Sequence, residues 1–333
     1  MTQLTPDQAI GIALEEARKG NLDDAGGLIR QVLELVPGHL PAILALQVVE
    51  SERRLATLSA TVTNLDLAIG ALTKTQGCQF LATLLAEARF GDPKRLERFG
   101  SKSFSQNDED GIIAEIFRRI GTTNRTFLEI GVDDGLQCNT HLLLHQGWAG
   151  AWIQADRGQV EAINRTFAAP IASRTLKVVE RFVNRETVND VVSGLALPYE
   201  IDLLSIDIDG NDYYVFDVLT AIAPRVVVVE YNAQLPPPVR AVVPYRPDWV
   251  WRGDGYFGAS LQSLTDLASR KGYRLVGCNV TGINAFFVRN DQARDLFQDP
   301  PDAANFYHPA RYFLGATAFM PAHPVAFGPY VSH

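Results

Sequence analysis

The chain has 333 residues, a formal net charge of −8 and 47% hydrophobic residues. This length accommodates one large domain or a catalytic domain with a smaller partner, and the acidic balance argues against a nucleic-acid-binding protein, which needs a basic face. Three scattered cysteines suit a reducing compartment and fit neither a disulfide framework nor a thiolate metal site.

The first twenty residues lack the basic and apolar regions of a signal peptide, and no stretch shows the ~18 apolar residues of a membrane span. We therefore expect a cytoplasmic protein without a membrane partner.

Residues 1–95 are predicted to be helical, because apolar residues recur at helical spacing and alanine and leucine are frequent. Between Pro6 and Pro37, Gly20 and Asn21 separate two helical patterns, and this segment resembles a tetratricopeptide repeat. A fainter second unit begins at Leu40. A generic helical cap is the alternative. We expect an interaction or oligomerisation domain, followed by a second domain over residues 96–333.

The basic stretch FGDPKRLERFGSKSF, punctuated by glycine and proline, marks the boundary. In the next stretch, SQNDEDGIIAEIFRRIG, the pattern predicts a helix with Ser105 as N-cap, Asp108 in capping-box position and Gly121 at its end.

From residue 126, short apolar runs alternate with helical patterns, which predicts a parallel sheet covered by helices on both faces. The last two strands are separated by little more than Thr281 and Gly282, too short a connection for a parallel return, so they form an antiparallel hairpin. We therefore predict an α/β fold with a seven-stranded sheet and one antiparallel edge hairpin, preceded by a small all-helical domain. The predicted strands span residues 126–131, 150–156, 176–183, 201–208, 225–231, 273–280 and 283–289.

The first predicted strand and the turn that follows it read TFLEIGVDDGLQCNT. The turn is acidic, and its two glycines are four residues apart. In α/β sheets, ligands bind at the carboxyl ends of the strands, and glycines allow close approach of the backbone. A dinucleotide site has the spacing G-x-G-x-x-G. Here Asp133 stands where the middle glycine would be, and its carboxylate would repel a pyrophosphate. NAD is disfavoured, and a ligand with a positive centre, such as S-adenosylmethionine, fits better.

Residues 103–290, roughly, resemble the FkbM type of S-adenosylmethionine-dependent methyltransferase. The resemblance rests on this turn and on the segments GWAGAWIQAD, ETVND, IDLLSIDIDGNDYYVF and VVVVEYN. The resemblance implies a Rossmann-like methyltransferase sheet and O-methylation of a natural product or glycan. It also implies that S-adenosylmethionine is contacted by Glu129, Gly131, Asp133, Gly135, Asn139 and Thr140. For Asn139 and Thr140, capping of the next helix is the alternative.

The second strand of such enzymes ends in an acidic residue that binds the ribose hydroxyls, but Gln154 stands at that position here. Asp156 lies two residues further on, on the same face of an extended strand. We favour Asp156, because a carboxylate binds hydroxyls more strongly than an amide does, and keep Gln154 as a second contact.

A second acidic group follows the fourth and fifth strands, where Asp207 and Asp209, then Glu230 and Asn232, are each spaced i, i+2. Neighbouring strands lie ~4.8 Å apart, so these oxygen-bearing side chains converge. They suit Mg²⁺ or another hard divalent cation. The layout resembles the metal site of catechol-type O-methyltransferases, which implies Asp207, Glu230 and Asn232 as ligands.

We interpret Asp207, Asp209 and Glu230 as catalytic, with Asp207 also near the cofactor. The metal-free alternative has Asp207 or Asp209 capping the next helix and Glu230 accepting from cofactor or substrate. Gly210 stands where the catechol-type enzymes often carry a basic residue, so the general base is unassigned; His141 and His145 are candidates by residue type alone.

The proline- and aromatic-rich connection over residues 233–260 suits a substrate wall or a rigid packed loop. The apolar tail over residues 306–327 is predicted to cover the site or to form a dimer surface. Homo-oligomers through the amino-terminal helices or this tail are therefore expected.

The sequence thus favours an O-methyltransferase acting on a hydroxyl of a small molecule, natural product or glycan. The alternatives are a non-catalytic S-adenosylmethionine-binding interaction protein and, less favoured, an NAD-dependent oxidoreductase.

Overall fold

The computed structural model describes residues 4–314 and 323–333. The chain divides into two compact units, Met1–Thr75 and Gln76–His333. The sequence-based boundary at residue 95 remains a prediction.

The first unit begins with a helical hairpin. Pro6 occupies the first turn of the first helix, and Thr5 and Gln8 form a capping box around its start. Gly20, with a φ of 92°, allows the chain to reverse between the first two helices. The helices of this unit are α1 (Pro6–Arg18), α2 (Leu22–Leu35) and α3 (Leu40–Leu85), the last of which continues into the second unit.

The hairpin buries small and branched residues such as Ala13, Ala25 and Ile29, which also pack against Ala42 and Ala45 of α3. The fainter second repeat does not form, because residues from Leu40 onward make one helix of 46 residues. The tetratricopeptide-like nature of the first hairpin remains a prediction.

The helix α3 is also long and apolar enough, by length and composition alone, to cross a membrane, and none of its most apolar window is buried. Polar residues interrupt the apolar ones throughout this helix, so no uninterrupted apolar run marks it in the sequence.

The second unit contains the predicted seven-stranded sheet, in the order β3-β2-β1-β4-β5-β7-β6. Strands β1 to β5 are parallel, and β7 runs antiparallel to both β5 and β6. The α/β fold with a reversed edge pair is therefore confirmed. The strands are β1 (Thr126–Ile130), β2 (Ala149–Gln154), β3 (Leu176–Glu180), β4 (Glu200–Ile206), β5 (Ala223–Glu230), β6 (Tyr273–Cys278) and β7 (Asn284–Arg289).

Helices lie between the strands, and two hydrophobic clusters pack the sheet. The prediction of Ser105 as N-cap is wrong: the first of these helices starts later, with Asp108 as N-cap, and the Ser105 hydroxyl instead accepts a bond from the Asp110 amide. The helices are α4 (Glu109–Ile120), α5 (His141–His145), α6 (Arg157–Thr166), α7 (Ala168–Ala172), α8 (Val188–Ser193), α9 (Asp212–Val218), α10 (Leu261–Arg270), α11 (Asn290–Ala293) and α12 (Ala303–Phe306), with 3-10 turns at Ala88–Phe90, Glu97–Phe99 and Tyr312–Leu314.

A buried ion pair connects the segment before β1 with β4 and β5. The Asp202 carboxylate accepts bonds from the amides of Thr123, Asn124 and Arg125 and lies 2.7 Å from the Arg225 guanidinium. Arg225 also donates to the carbonyls that end α4, at Ile120 and Gly121. One charge pair therefore fixes the amino ends of the two central strands.

Replacing Asp202 by alanine should lower the free energy of unfolding by about 3–5 kcal/mol, because Arg225 would remain buried without its partner. Urea unfolding monitored by circular dichroism measures this change. Glu161→Ala removes one partner of the exposed Arg157–Glu161 pair and should cost less than about 0.5 kcal/mol. Equal losses in the two variants would contradict a bracing role for Asp202.

Candidate functional site

The loop after β1 is organised around the buried carboxylate of Glu129. Its two oxygens accept bonds from the amides of Asn139, at 2.8 Å, and Thr140, at 3.0 Å. The Thr140 hydroxyl donates a third bond at 2.6 Å and accepts one from the Trp152 indole. Burial raises the pKa of Glu129, while these bonds act in the opposite direction. The amides of Asn139 and Thr140 thus bind Glu129, which closes the loop into a ring.

Two positions of this loop require glycine. Gly131 has a φ of 83°, and a Cβ there would lie 1.6 Å from the Asp207 carbonyl oxygen. Gly135 has a φ of 79°, and its Cβ would lie 2.6 Å from the Trp152 ring. Both glycines are therefore required by neighbouring protein atoms before any ligand binds. Asp133 also has a positive φ, 48°, and its exposed side chain lines the cavity described next.

A cavity of about 580 Å³ opens at the carboxyl ends of β1, β4 and β5. This is within the ~300–1,000 Å³ typical of small-ligand sites. Among the described residues that line it, the charged ones are acidic, and neither lysine nor arginine is present. The acidic lining residues are Glu129, Asp133, Asp134, Asp207, Asp209 and Glu230.

Three of these carboxylates, those of Asp207, Asp209 and Glu230, each offer an oxygen within 4.8 Å of the others. The pairing of Ile206 with Val229 on β4 and β5 brings the ends of the two strands together. The N-cap of the helix α9 is Asn211 and not Asp207 or Asp209. The Asp212 carboxylate accepts from the amides of Ile208 and Gly210. Three half-buried carboxylates therefore remain directed at the cavity.

Burial and repulsion by neighbouring carboxylates raise the pKa of all three groups. The pKa of Asp207 and that of Glu230 lie well above their usual values, first because of burial and then because of neighbouring carboxylates. Burial, followed by the charges of Asp212 and Asp133, raises the pKa of Asp209 to about 7. The Glu230 Oε2 atom is buried and has no hydrogen-bond partner among the described residues. Such a group is stabilised by a proton, a cation or a hydrogen-bond donor.

Asn232 is not part of this group. Its buried amide donates to the carbonyls of Gly255 and Phe257, and its oxygen accepts from the Gln234 amide. The side chain therefore fixes the loop after β5 and does not line the cavity.

Gln154 and Asp156, the expected ribose contacts, also lie outside the cavity lining. The Gln154 oxygen accepts from the amide of Asp156 at 3.1 Å, and Asp156 is the N-cap of α6, accepting from the Gln159 amide. From this part of the chain, Gln159 is the residue that lines the cavity.

The two histidines considered as bases by type are not in the cavity lining. His141 and His145 pack against Phe104, with ring centroids 4.2 and 4.9 Å away. A third histidine, His323, does line it, beside Trp251 and Tyr312. Its ring centroid lies 4.8 Å from each of those two aromatic rings. Burial lowers the pKa of His323, so its ring is neutral at neutral pH.

The loop and the tail therefore meet at the cavity through Trp251, Tyr312 and His323, whereas residues 315–322 of the tail lie outside the described residues. Trp249, from the same loop, packs on Gly210, where a Cβ would lie 2.1 Å from its indole nitrogen. That contact explains why no side chain occupies position 210.

Sequence reasoning also missed two asparagines of the lining, Asn107 and Asn284. Both amides donate to the Glu109 carboxylate, which is fully buried. Asn284 pairs with Glu230 across β7 and β5, and its Oδ1 atom is buried without a partner in the described chain. These residues come from distant segments, and no local spacing relates them.

No family model matches the chain, and no curated protein matches it. Several of the solved structures that resemble the chain are methyltransferases. One is a magnesium protoporphyrin IX methyltransferase from Synechocystis PCC 6803 with bound S-adenosylmethionine, 10% identical, with a TM-score of 0.38 over 65% of this chain and 97% of that chain.

A second is a methyltransferase dependent on S-adenosylmethionine from Aquifex aeolicus, 12% identical, with a TM-score of 0.32 over 59% of this chain and 92% of that chain. A third is a glycopeptide N-methyltransferase in complex with S-adenosylmethionine, also 12% identical, with a TM-score of 0.33 over 53% of this chain and 86% of that chain. The seven-stranded sheet with its reversed edge pair follows from the structure itself. Likenesses this distant identify neither a reaction nor a substrate.

The raised pKa of Asp209 makes stability depend on pH. Its carboxyl binds a proton up to about pH 7 in the folded chain but only to about pH 3.8 when unfolded, so stability falls as pH rises through this window. Asp209→Asn removes the charge and should raise the free energy of unfolding at pH 8 by about 1–2 kcal/mol, less than the full shift because solvent screens the charge. At pH 4 the variant should match the unmodified protein.

Urea unfolding in EDTA-containing buffer at both pH values measures the difference. Asp248→Asn, on an exposed part of the loop after β5, is the control and should change neither value by more than about 0.5 kcal/mol. A gain from Asp209→Asn that is the same at pH 4 and pH 8 would show that buried charge is not its cause.

Proposed function

We propose that this chain is an S-adenosylmethionine-dependent methyltransferase that methylates a hydroxyl of a small molecule, natural product or glycan. The observation that carries this proposal is the acidic cavity at the carboxyl ends of β1, β4 and β5, which is lined by carboxylates and lacks basic residues among its described lining.

The charge of the cavity selects the class of cofactor. A dinucleotide carries a pyrophosphate, which needs backbone amides or cations, but the amides of Asn139 and Thr140 already bind Glu129. S-adenosylmethionine carries a sulfonium and an ammonium group, and both are attracted by carboxylates. When bound, it supplies a methyl group on positively charged sulfur.

The residues that fit this cofactor are those of the loop from Gly131 to Asn139, with Gln159 beside it. Asp133 supports the positive groups because its carboxylate is exposed to the cavity. Glu129 acts through the loop, since its oxygens are occupied by the protein's own donors. In this proposal Asp156 is the N-cap of α6 and does not bind the cofactor. Gln159 contacts the ribose hydroxyls instead.

Two buried acceptor atoms without hydrogen-bond partners among the described residues favour a substrate that carries hydroxyl groups. Glu230 Oε2 and Asn284 Oδ1 lie on residues paired across β5 and β7, and no described residue donates to either atom. Buried acceptors are costly unless they receive a hydrogen bond, so a substrate with hydroxyl donors fits this corner. The rings of Trp251, Tyr312 and His323 provide an apolar wall for a sugar or a planar ring.

Two routes can remove the hydroxyl proton. In the first, Asp207, Asp209 and Glu230 hold a divalent cation; their oxygens are close enough together, and hard oxygen ligands suit Mg²⁺. Asn232 is left out of this ligand set. In the second, the neutral ring of His323 accepts the proton directly.

A non-catalytic protein that binds S-adenosylmethionine is the second candidate. It would need the same loop but not the unpartnered acceptors at Glu230 and Asn284, so those atoms favour the enzyme.

Calorimetry with S-adenosylmethionine and S-adenosylhomocysteine tests the cofactor assignment. Asp133→Asn should weaken S-adenosylmethionine binding by roughly tenfold, because it removes a charge, while asparagine tolerates the positive φ of this position. Asp248→Asn is the control with the same chemical change. Tight NAD binding, or no binding of either sulfur compound, would refute the proposal.

The same titrations with Mg²⁺ and with EDTA separate the two routes. If the acidic group holds a cation, Mg²⁺ should bind with a heat signal that Asp207→Asn abolishes while S-adenosylmethionine affinity changes less than about threefold. The absence of that signal would assign proton removal to the metal-free route.

A further inference from the structure

The middle of α3 carries an apolar stripe that nothing in the described chain covers. Every residue from 51 to 69 is exposed, although Arg53 forms an ion pair with Asp23 of α2 at 3.0 Å. It also contains several threonines and an asparagine and is followed by Gly70, and these are weak helix formers. An isolated helix of such residues is marginal in water, and burial of one face is what normally stabilises it.

The stripe has the spacing of a coiled coil. Apolar residues recur at alternating spacings of three and four residues over more than three heptads. Ser51 is the one polar residue at these positions. The exposed fractions of the apolar members lie between 39% and 65%. We call this set the seam; its apolar members are Val48, Leu55, Leu58, Val62, Leu65, Ile69 and Leu72.

The residue types within the seam select one arrangement. The first position of the repeat holds Val48, Leu55, Val62 and Ile69, three of them β-branched, and the fourth position holds leucine from residue 58 onward. Branched residues at the first position with leucine at the fourth favour a parallel two-stranded coiled coil. We propose that a second copy of this chain covers the seam, forming a parallel, in-register homodimer through α3.

The charges beside the seam are compatible with this register. In a parallel pair, the flanking residues Glu52, Arg54 and Asp66 face the uncharged Gln47, Ser59 and Thr61 of the other copy. No pair of like charges is therefore brought together along the flanks of the seam.

The buried area is also sufficient. Seven half-exposed aliphatic side chains represent on the order of 600 Å² per helix, and the short residues beside them bring the total near the ~800 Å² per partner of a stable interface. The seam extends over about 37 Å of helix, from Val48 to Leu72.

A membrane span fits less well, although length and composition alone would allow one. The apolar residues concentrate on one stripe, whereas a spanning helix is apolar all round. Asn64 and Asp66 lie near the centre of the apolar window, where a carboxylate is costly in hydrocarbon.

Light scattering after size-exclusion chromatography of the full chain tests the proposal. We expect a dimer, and Leu58→Asp with Leu65→Asp should raise its dissociation constant by roughly 100-fold or more. Leu67→Asp is the matched control, because Leu67 is equally apolar and 68% exposed but lies outside the seam; it should leave the dimer intact. Circular dichroism and urea unfolding of each full-length variant show whether it is folded.

Orientation is tested with Leu72→Cys in a Cys78→Ser background, which should form an intermolecular disulfide under mild oxidation because the two copies of this end of the seam meet only in a parallel pair, whereas Leu67→Cys should not. A monomer, a dimer that survives both seam substitutions, or equal cross-linking at positions 72 and 67 would overturn the proposal. So would co-flotation of the full chain with phosphatidylcholine and phosphatidylglycerol vesicles that the seam substitutions abolish.

Discussion

The candidate site depends on one buried carboxylate, that of Glu129. It ends β1 and accepts bonds from the amides of Asn139 and Thr140 and from the Thr140 hydroxyl, so the intervening loop is closed by a side chain. The Trp152 indole donates to the same hydroxyl and packs against Gly135. The loop is thereby fixed next to the end of β4, where Gly131 lies against the Asp207 carbonyl, and the cavity opens beside it at the ends of β1, β4 and β5.

The cavity that results has an unusual electrostatic character. Carboxylates from two strands, β1 and β5, and from the loops after β1 and β4 face a small volume without a basic residue among the described lining. Keeping like charges together costs folding free energy, which raises the pKa of Asp207, Asp209 and Glu230. Proteins retain such strain mostly where it serves binding or chemistry. A positively charged cofactor and a divalent cation each relieve it.

The strands could be located from sequence because runs of valine, isoleucine and leucine marked them, and the short Thr281–Gly282 connection fixed the reversed pair. The rule that residues two apart share a face holds only within a strand. β2 ends at Gln154 and β5 at Glu230, so Asp156 and Asn232 lie in loops and their side chains do not share a face with the strand residues before them. Asp156 caps a helix, and Asn232 binds carbonyls of the loop after β5. Asn284 and His323 come to the cavity from distant segments, and a local pattern cannot reveal such residues.

The central claim is that S-adenosylmethionine binds against the loop held by Glu129. A crystal structure of the protein grown with S-adenosylhomocysteine tests it most directly. The account predicts electron density for the compound between the Gly131–Gly135 turn and Gln159. Density at a different place on the protein, with this cavity filled by the protein's own side chains, would contradict it.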